Sequence, residues 1–345
     1  MMMVTSSKSA IILGMERPLI SFCQLCCNQR QWIGAALEGA FAQTYRPLEI
    51  VISDDGSTDG SAEFIQNYVA EHAPSDVSVV FNRNPTNLGI LGNWLKMSSL
   101  SHGELLIKAD GDDISLPDRA EKVAMAWVAD GKRAAAVCHA GYRIDLAGRP
   151  LGQMPAPDLE GAIGALMAWR RDCYTAFSPD TDYPRCVEDA IFARRAMMLG
   201  GALVIPDRLV NYRIGSGITS ALRHHRTPAI TGWRVWRPSL DQAERDLAMV
   251  ADRLPPGRVE EFRRKFAFER VRAENHLTLL ESPSFRARWR AFRQEYRMGC
   301  QISAPFMIAY LLPRWIGDLV LDGITCLNLL RRRLRGRFSK SLSRP

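Results

Sequence analysis

Cysteine is scarce and irregularly placed: eight residues in 345, at positions 23, 26, 27, 138, 173, 186, 300 and 326. That is too thin for a disulfide framework in a chain this long, so a reducing compartment is expected. A signal-peptide core is missing too, because the apolar stretch 10–15 has only six residues before Glu16 and Arg17. No internal repeat is visible. No Gly-x-Gly-x-x-Gly follows the first expected strand, which removes the main signal for a dinucleotide oxidoreductase. An evenly spread positive charge is also lacking. Of the formal net +8, seven charges sit in residues 331–345 (Arg331, Arg332, Arg333, Arg335, Arg337, Lys340, Arg344), leaving +1 over the other 330 residues. Nucleic acid is therefore not an expected partner, since no base-stacking module accompanies this tail. What remains is ordinary globular material, 47% hydrophobic and 24% charged. It suffices for two domains, or for one larger domain with an appendage.

Hydrophobic periodicity predicts strands at 19–25, 48–53, 77–81, 104–109 and 134–139. Helices are expected at 31–43, 61–71, 91–100 and 117–129. Such alternation implies an α/β fold with a mainly parallel sheet and helices on both faces. After a Gly- and Pro-rich irregular region come a helix at 188–199 and strands at 202–205 and 209–213. From about 228 the pattern turns helical and rich in Arg and Trp, broken at Pro255-Pro256, Pro283 and Pro305.

Three acidic clusters stand out. Asp54-Asp55-Gly56-Ser57-Thr58-Asp59-Gly60-Ser61 follows the second strand, where open α/β sheets bind ligands and a carboxylate can accept a base N–H or a ribose hydroxyl. The same residues also make an ordinary turn and helix N-cap. Asp110-Gly111-Asp112-Asp113 ends a later strand. Its three crowded carboxylates repel one another, and a hard divalent cation, Mg²⁺ or Mn²⁺, would compensate them; a solvated acidic turn is the plainer alternative. Glu188-Asp189 opens a helix, where acids are also favoured by the helix dipole alone.

Together, in this order and at strand ends, these pieces resemble family-2 glycosyltransferases. The matching residues are Asn28, Ala42-Gln43-Thr44-Tyr45, the run Glu49 to Gly60, Asn87-Leu88-Gly89 with Asn93, Gly103-Glu104, Asp110-Gly111-Asp112-Asp113 and Leu116-Pro117-Asp118-Arg119, with a weaker likeness to about Ser220. The resemblance implies a GT-A fold, Rossmann-like, followed by a C-terminal α-helical extension. It implies an inverting transferase using a nucleotide-sugar donor, a UDP-sugar first, with dTDP- or GDP-sugars as alternatives, and a cell-surface glycan or lipid-linked precursor as acceptor. Carried over residue by residue, Asp55 would contact the base. Asn28, Asn87, Gly89, Asp110 and Arg213 would line the donor site. Asp112, with Asp110, would hold Mn²⁺ or Mg²⁺, and Asp189 would be the catalytic base. A catalytically silent nucleotide-sugar-binding scaffold of a membrane complex is the rival reading.

The chain departs from the family pattern twice. Gly215 stands where a histidine often follows the Tyr212-Arg213 strand end, which leaves a third metal ligand unassigned; His224 and His225 are the nearby substitutes, or plain surface residues. Leu25-Cys26-Cys27 replaces a Pro-Thr-Tyr, removing hydroxyl contacts to the base. The formal Cys23-x-x-Cys26 pair carries no zinc signal, for no second pair exists. Trp169-Arg170-Arg171, Trp233, Trp236 and Trp289 offer an acceptor platform or core packing.

Residues 302–330 are mostly apolar, but Arg314, Asp318 and Asp322 leave less than the roughly 18 uninterrupted residues of a spanning helix. They read as an amphipathic helix running into the basic tail. That combination suits peripheral attachment to an anionic cytoplasmic membrane face; packing on the catalytic domain is the alternative. The expected organisation is a catalytic domain at 1–225, a helical extension at 226–302 and an amphipathic, polybasic segment at 303–345, in the cytoplasm at the inner membrane face.

Overall fold

The computed structural model describes residues 17–178, 188–216, 226–298 and Leu311, with the side chains of 226–236 left aside. The expectations for residues 303–345, for His224 and His225, and for the Trp233 and Trp236 side chains lie outside the described residues. The chain divides into two compact units, residues 1–217 with 242–259, and residues 218–241 with 260–345.

The first unit is built on one nine-stranded sheet in the order β3-β2-β1-β4-β8-β6-β9-β5, with β7 paired to β6. β1 (Ile20–Cys26), β2 (Leu48–Asp54), β3 (Ser78–Arg83) and β4 (Leu105–Asp110) run parallel, as the alternation predicts. Strict side-chain alternation splits them between two cores. Ile20 and Phe22 of β1, Ile50 and Ile52 of β2 and Ile107 of β4 pack under α1 (Ile33–Phe41), α2 (Ser61–His72) and α4 (Arg119–Ala129). Cys23, Leu25, Val51 and Leu106 face the other way, under α3 (Gly89–Leu100) and α6 (Glu188–Leu199). Both faces are covered, so these strands read as nearly continuous apolar runs.

The second half of the sheet is more mixed than periodicity foretold. β8 (Met167–Arg170) runs antiparallel to β4 and to β6 (Ala136–Ile144), β7 (Pro150–Met154) antiparallel to β6, and β5 (Ile114–Ser115) antiparallel to β9. The region expected to be irregular thus contains two strands, β7 and β8, with the short helix α5 (Asp172–Thr175) after β8. The two strands expected at 202–205 and 209–213 are one, β9 (Ala202–Arg213), parallel to β6. Pro206 does not end it, because the ladder slips there from His139–Ile205 to Ala140–Arg208 and a bulge tolerates the missing N–H.

α7 (Arg226–Val250) runs from the second unit into the first. Its residues in the first unit are tied by a buried ion pair, Arg195 Nε to Asp246 Oδ2 at 2.7 Å, which Gln242 Nε2 supports by donating to Asp246 Oδ1 at 2.7 Å. The second unit is helical, with α8 (Arg258–Glu281) and α9 (Phe285–Arg297) burying Phe262, Phe266, Leu279, Leu280 and Ala291. Glu295 is fully buried in it and accepts from Asn275 Nδ2 at 2.9 Å. Among the described residues no helix is long and apolar enough to cross a membrane.

Candidate active site

The carboxyl ends of β1, β2 and β4 converge on one edge, where the loops are knitted by side chains rather than by ladder hydrogen bonds. Asn28, in the left-handed region at φ 51°, accepts the Thr58 N–H at 2.9 Å, while the Ser57 hydroxyl accepts the Asn28 N–H at 2.8 Å. Asp54 is buried and accepts the Ser57 N–H at 2.9 Å, bending the chain through Gly56. Gly56 is required there: its φ is 66°, and a Cβ would press within 2.9 Å of the backbone at Thr86 and Asn87.

Asp55 is buried at the centre of this knot. Its Oδ1 accepts from Asn84 Nδ2 at 2.9 Å and from the Leu88 N–H at 2.8 Å. Those two donors hold the 84–89 loop, in which Asn87 Oδ1 accepts the Gly89 N–H at 2.8 Å and Asn87 Nδ2 reaches Cys27 Sγ at 3.2 Å. Asn28, Asp55, Asn87 and Gly89 are therefore brought together, with one oxygen of Asp55 fixed by the protein. Asn84 escaped sequence reasoning, although its spacing one turn before Leu88 and its polar type at a strand end were available signals.

The second half of the site is electrostatic. Lys108 and Asp110 are two apart on β4 and so share a face, and that face looks toward α6. Lys108 is 2% exposed, and its Nζ lies 2.7 and 3.0 Å from the two oxygens of Asp110 and 3.1 Å from Glu188 Oε1, itself 1% exposed. Burial pulls the ammonium pKa down, but the charges of Asp110, Glu188 and Asp189 outweigh it and hold the group well above its usual value. Lys108 was not singled out from the sequence, yet a lysine inside an apolar strand two residues before the acid cluster is itself the signal.

Asp189 is half-buried, with Oδ1 closed off from solvent and bearing no hydrogen bond. Burial and the neighbouring Glu188 raise its pKa well above the ordinary carboxylate range, against the opposing pull of Lys108 and the Gly164 N–H. Gly164 is the piece that lets these groups meet, since a Cβ there would collide with Asp189 Oδ1 and come within 2.7 Å of Lys108 Nζ. Arg119 braces the same spot. It is buried, and one guanidinium nitrogen donates both to the Lys108 carbonyl at 2.7 Å and to the Ala165 carbonyl at 2.8 Å. Its Nε donates to His139 Nε2 at 3.0 Å, which requires a neutral imidazole; burial and the adjacent Arg119 charge hold His139 well below its usual pKa.

Asp112 and Asp113 turn away from Lys108 toward β9. Arg213 is buried, its N–H donating to Asp113 Oδ1 at 2.7 Å and its guanidinium to the carbonyls of Asp112, Asp145 and Leu146 at 2.8 to 3.0 Å. Gly215 has φ 102°, a backbone shape that suits glycine rather than the histidine often found there. Burial and then the Asp110 charge raise Asp112; burial and the charges of Asp112 and Asp110 raise Asp113, whose Oδ2 is buried without a hydrogen bond. Crowded, hard oxygen donors with raised pKa values and an orphaned carboxylate oxygen fit a divalent cation. Among the described residues no three His, Cys, Asp or Glu side chains are arranged as a complete ligand set.

Trp169 does not belong to an acceptor platform: it is fully buried on β8 against Phe192 of α6, 6.0 Å between ring centroids. The alternation of β8 turns it into the core. Cys23 and Cys26 lie buried on β1 as free thiols, each pushed by burial to about 12.

Residues 21–178 match the sequence model described as Glycosyl transferase family 2. These residues are a family-2 glycosyltransferase domain. Over 105 residues the chain is 29% identical to the putative glycosyltransferase EpsE of Bacillus subtilis, covering 30% of this chain and 37% of that protein. Over 95 residues it is 35% identical to an uncharacterized protein of Mycobacterium tuberculosis, 27% of each. The chain thus spans only 27% and 37% of these two curated relatives. The mannosyltransferase PcManGT of Pyrobaculum calidifontis, solved with GDP-Man and Mn²⁺, superimposes with a TM-score of 0.51 at 18% identity, over 89% of this chain and 87% of that one. That likeness shows the GT-A fold.

Proposed function

We propose that this chain is an inverting glycosyltransferase that moves a sugar from a nucleoside-diphosphate sugar to a hydroxyl of a cell-surface glycan or lipid-linked precursor. The observation that carries the reading is the meeting of Lys108, Asp110, Glu188 and Asp189 around Gly164, on the sheet edge that also carries Asp55. In this reading the oxygen of Asp55 not engaged by Asn84 and Leu88 accepts a base N–H, and the left-handed Asn28 turn and the Asn87-Leu88-Gly89 loop wall the base. Asp110, steered by Lys108, accepts from the ribose. Asp112, with Asp110 beside it, would hold Mn²⁺ or Mg²⁺, and Arg213 keeps that turn in place. When bound, the ion would offset charge on the diphosphate leaving group. The Mn²⁺ and GDP-Man bound to the mannosyltransferase of like fold support a nucleotide sugar and a divalent ion.

Asp189 then takes the acceptor hydroxyl proton as that oxygen attacks the anomeric carbon from the face opposite the diphosphate. The carbon–oxygen bond to the diphosphate breaks and its electron pair leaves with the nucleotide. A base with a raised pKa, unpaired at Oδ1, suits that task at neutral pH. Residues 303–345, amphipathic then polybasic in sequence, would keep the enzyme at an anionic cytoplasmic membrane face.

The test is thermal stability against a panel of nucleoside diphosphates and their sugars, with and without Mn²⁺, in wild type and Asp112→Asn. UDP comes first, then dTDP and GDP. Ligand at about 100 times its Kd adds roughly 2.7 kcal/mol, a shift of several degrees. A Mn²⁺-dependent shift for one nucleotide, lost in the variant, supports the reading. No shift for any nucleotide overturns donor binding, and donor binding without turnover, indifferent to Asp189→Ala, would instead favour the silent scaffold.

A further inference from the structure

The second unit carries a surface that neither the donor site nor the transfer chemistry uses. Along α9, Phe285, Trp289, Phe292 and Tyr296 recur at steps of four, three and four residues, which places them in one stripe about 60° wide. Phe285, Trp289 and Tyr296 are 58%, 44% and 74% exposed, unusual for rings this large. Their planes are nearly parallel, 14° between Phe285 and Trp289 and 13° between Trp289 and Phe292, so the rings form a ridge. Each is followed by an arginine, and Arg286, Arg290, Arg293 and Arg297 make a second exposed stripe alongside the first. The third face is the buried one, formed by Arg288, Ala291 and Glu295. The only acid on the helix is thus sealed inside, and every exposed charge on α9 is positive.

We infer that the aromatic ridge and arginine stripe of α9 form a docking face for an anionic phospholipid surface, the rings seated among the headgroups and the arginines paired with lipid phosphates. Trp, Phe and Tyr beside a row of arginines is the composition of a helix lying in a membrane interface. Charge complementarity selects the occupant. The chain's own C-terminal stretch is a poor cover, because residues 299–345 carry eight basic and two acidic side chains and would meet the arginine stripe with like charge. Leu311, moreover, lies at the other face, its carbonyl accepting from Arg288 at 3.3 Å. Ring geometry disfavours single-stranded nucleic acid, which needs open ring faces for base stacking; here neighbouring rings cover one another and present apolar edges. The inference does not depend on the glycosyltransferase reading.

Co-sedimentation of the full-length protein with extruded phosphatidylcholine vesicles, with and without about 30 mol % phosphatidylglycerol, tests it. Wild type should bind the anionic vesicles and lose most of that binding as salt is raised well above roughly 0.1 M. Replacing the four exposed arginines by glutamine should weaken partitioning about fivefold for each, several-hundred-fold together. Phe285→Ala with Trp289→Ala should weaken it more than tenfold, leaving salt sensitivity in place. All six side chains are exposed, so circular dichroism and melting temperature should stay at wild-type values and exclude misfolding. The inference is overturned if wild type ignores anionic vesicles, if both variants bind as wild type does, or if poly(U) is bound with the same arginine dependence while vesicles are not.

Discussion

Replacing Lys108 by methionine removes a buried cation that faces both Asp110 and Glu188 while keeping side-chain length. Breaking a buried ion pair by deleting one partner costs about 3–5 kcal/mol, because the other charge stays buried and uncompensated. The two carboxylates do not suffer alike. Asp110 is 25% exposed and can recruit water, whereas Glu188 is 1% exposed and cannot. We therefore expect the low end, about 3 kcal/mol, a fall in Tm of roughly 6–12 °C for a unit of this size. Catalysis should respond separately. Protonated Asp189 cannot accept a proton, so the rate rises with pH through its pKa, which is already raised by burial and Glu188 and held back by Lys108. Without that cation the acid limb of kcat moves to higher pH. Lys108→Arg restores the charge but crowds Gly164, and should recover part of the stability. Differential scanning calorimetry and a pH–rate profile are the assays; a Tm within a degree of wild type together with an unmoved acid limb would refute the role given to Lys108.

Asp189→Asn should abolish transfer yet raise Tm, since a buried acid with a raised pKa costs stability once ionised. The sign follows from linkage: wild-type stability falls as pH rises from the ordinary carboxylate range toward the raised value, so the variant's advantage in urea melts should grow over that window, and a constant gap would count against the burial argument. Gly164→Ala has no room for its methyl beside Asp189 and Lys108, and should lower kcat at least tenfold while nucleotide affinity, read by calorimetric titration, changes little. Asp55→Asn keeps an oxygen for Asn84 and Leu88 but loses the charge offered to the base, and should weaken nucleotide binding about 10- to 150-fold with Tm nearly unchanged. Unaltered affinity would remove Asp55 from the base site.

The legible part of the site is the part built from local signals. Asp54-Asp55-Gly56, Asp110-Gly111-Asp112 and Glu188-Asp189 announce themselves because acids at strand and helix ends have no packing reason to cluster there. What escaped notice acts through partners distant in the chain. Lys108 looks like an odd residue in an apolar strand until Glu188, 80 positions on, is seen beside it. Gly164 sits in a stretch whose Gly and Pro content hides β7 and β8, and its need for a hydrogen side chain exists only because Asp189 and Lys108 close over it. For Trp169, an aromatic beside arginines, the sequence left platform and core open, and the alternation of its strand turns it inward.

Hydrophobic periodicity and turn chemistry, read along the chain alone, were enough to specify the parallel half of the sheet, the helices that cover it and the edge on which the acids stand. These are short-range properties, set by period, by proline and glycine, and by which face must be buried. The tertiary structure alone decided which charges meet, because burial and opposition between elements far apart in sequence determine whether a carboxylate is solvated, paired or left as a base. The antiparallel strands 150–154 and 167–170, the Lys108 bridge and the side-by-side aromatic and arginine stripes of α9 with their acid turned inside all belong to that second class.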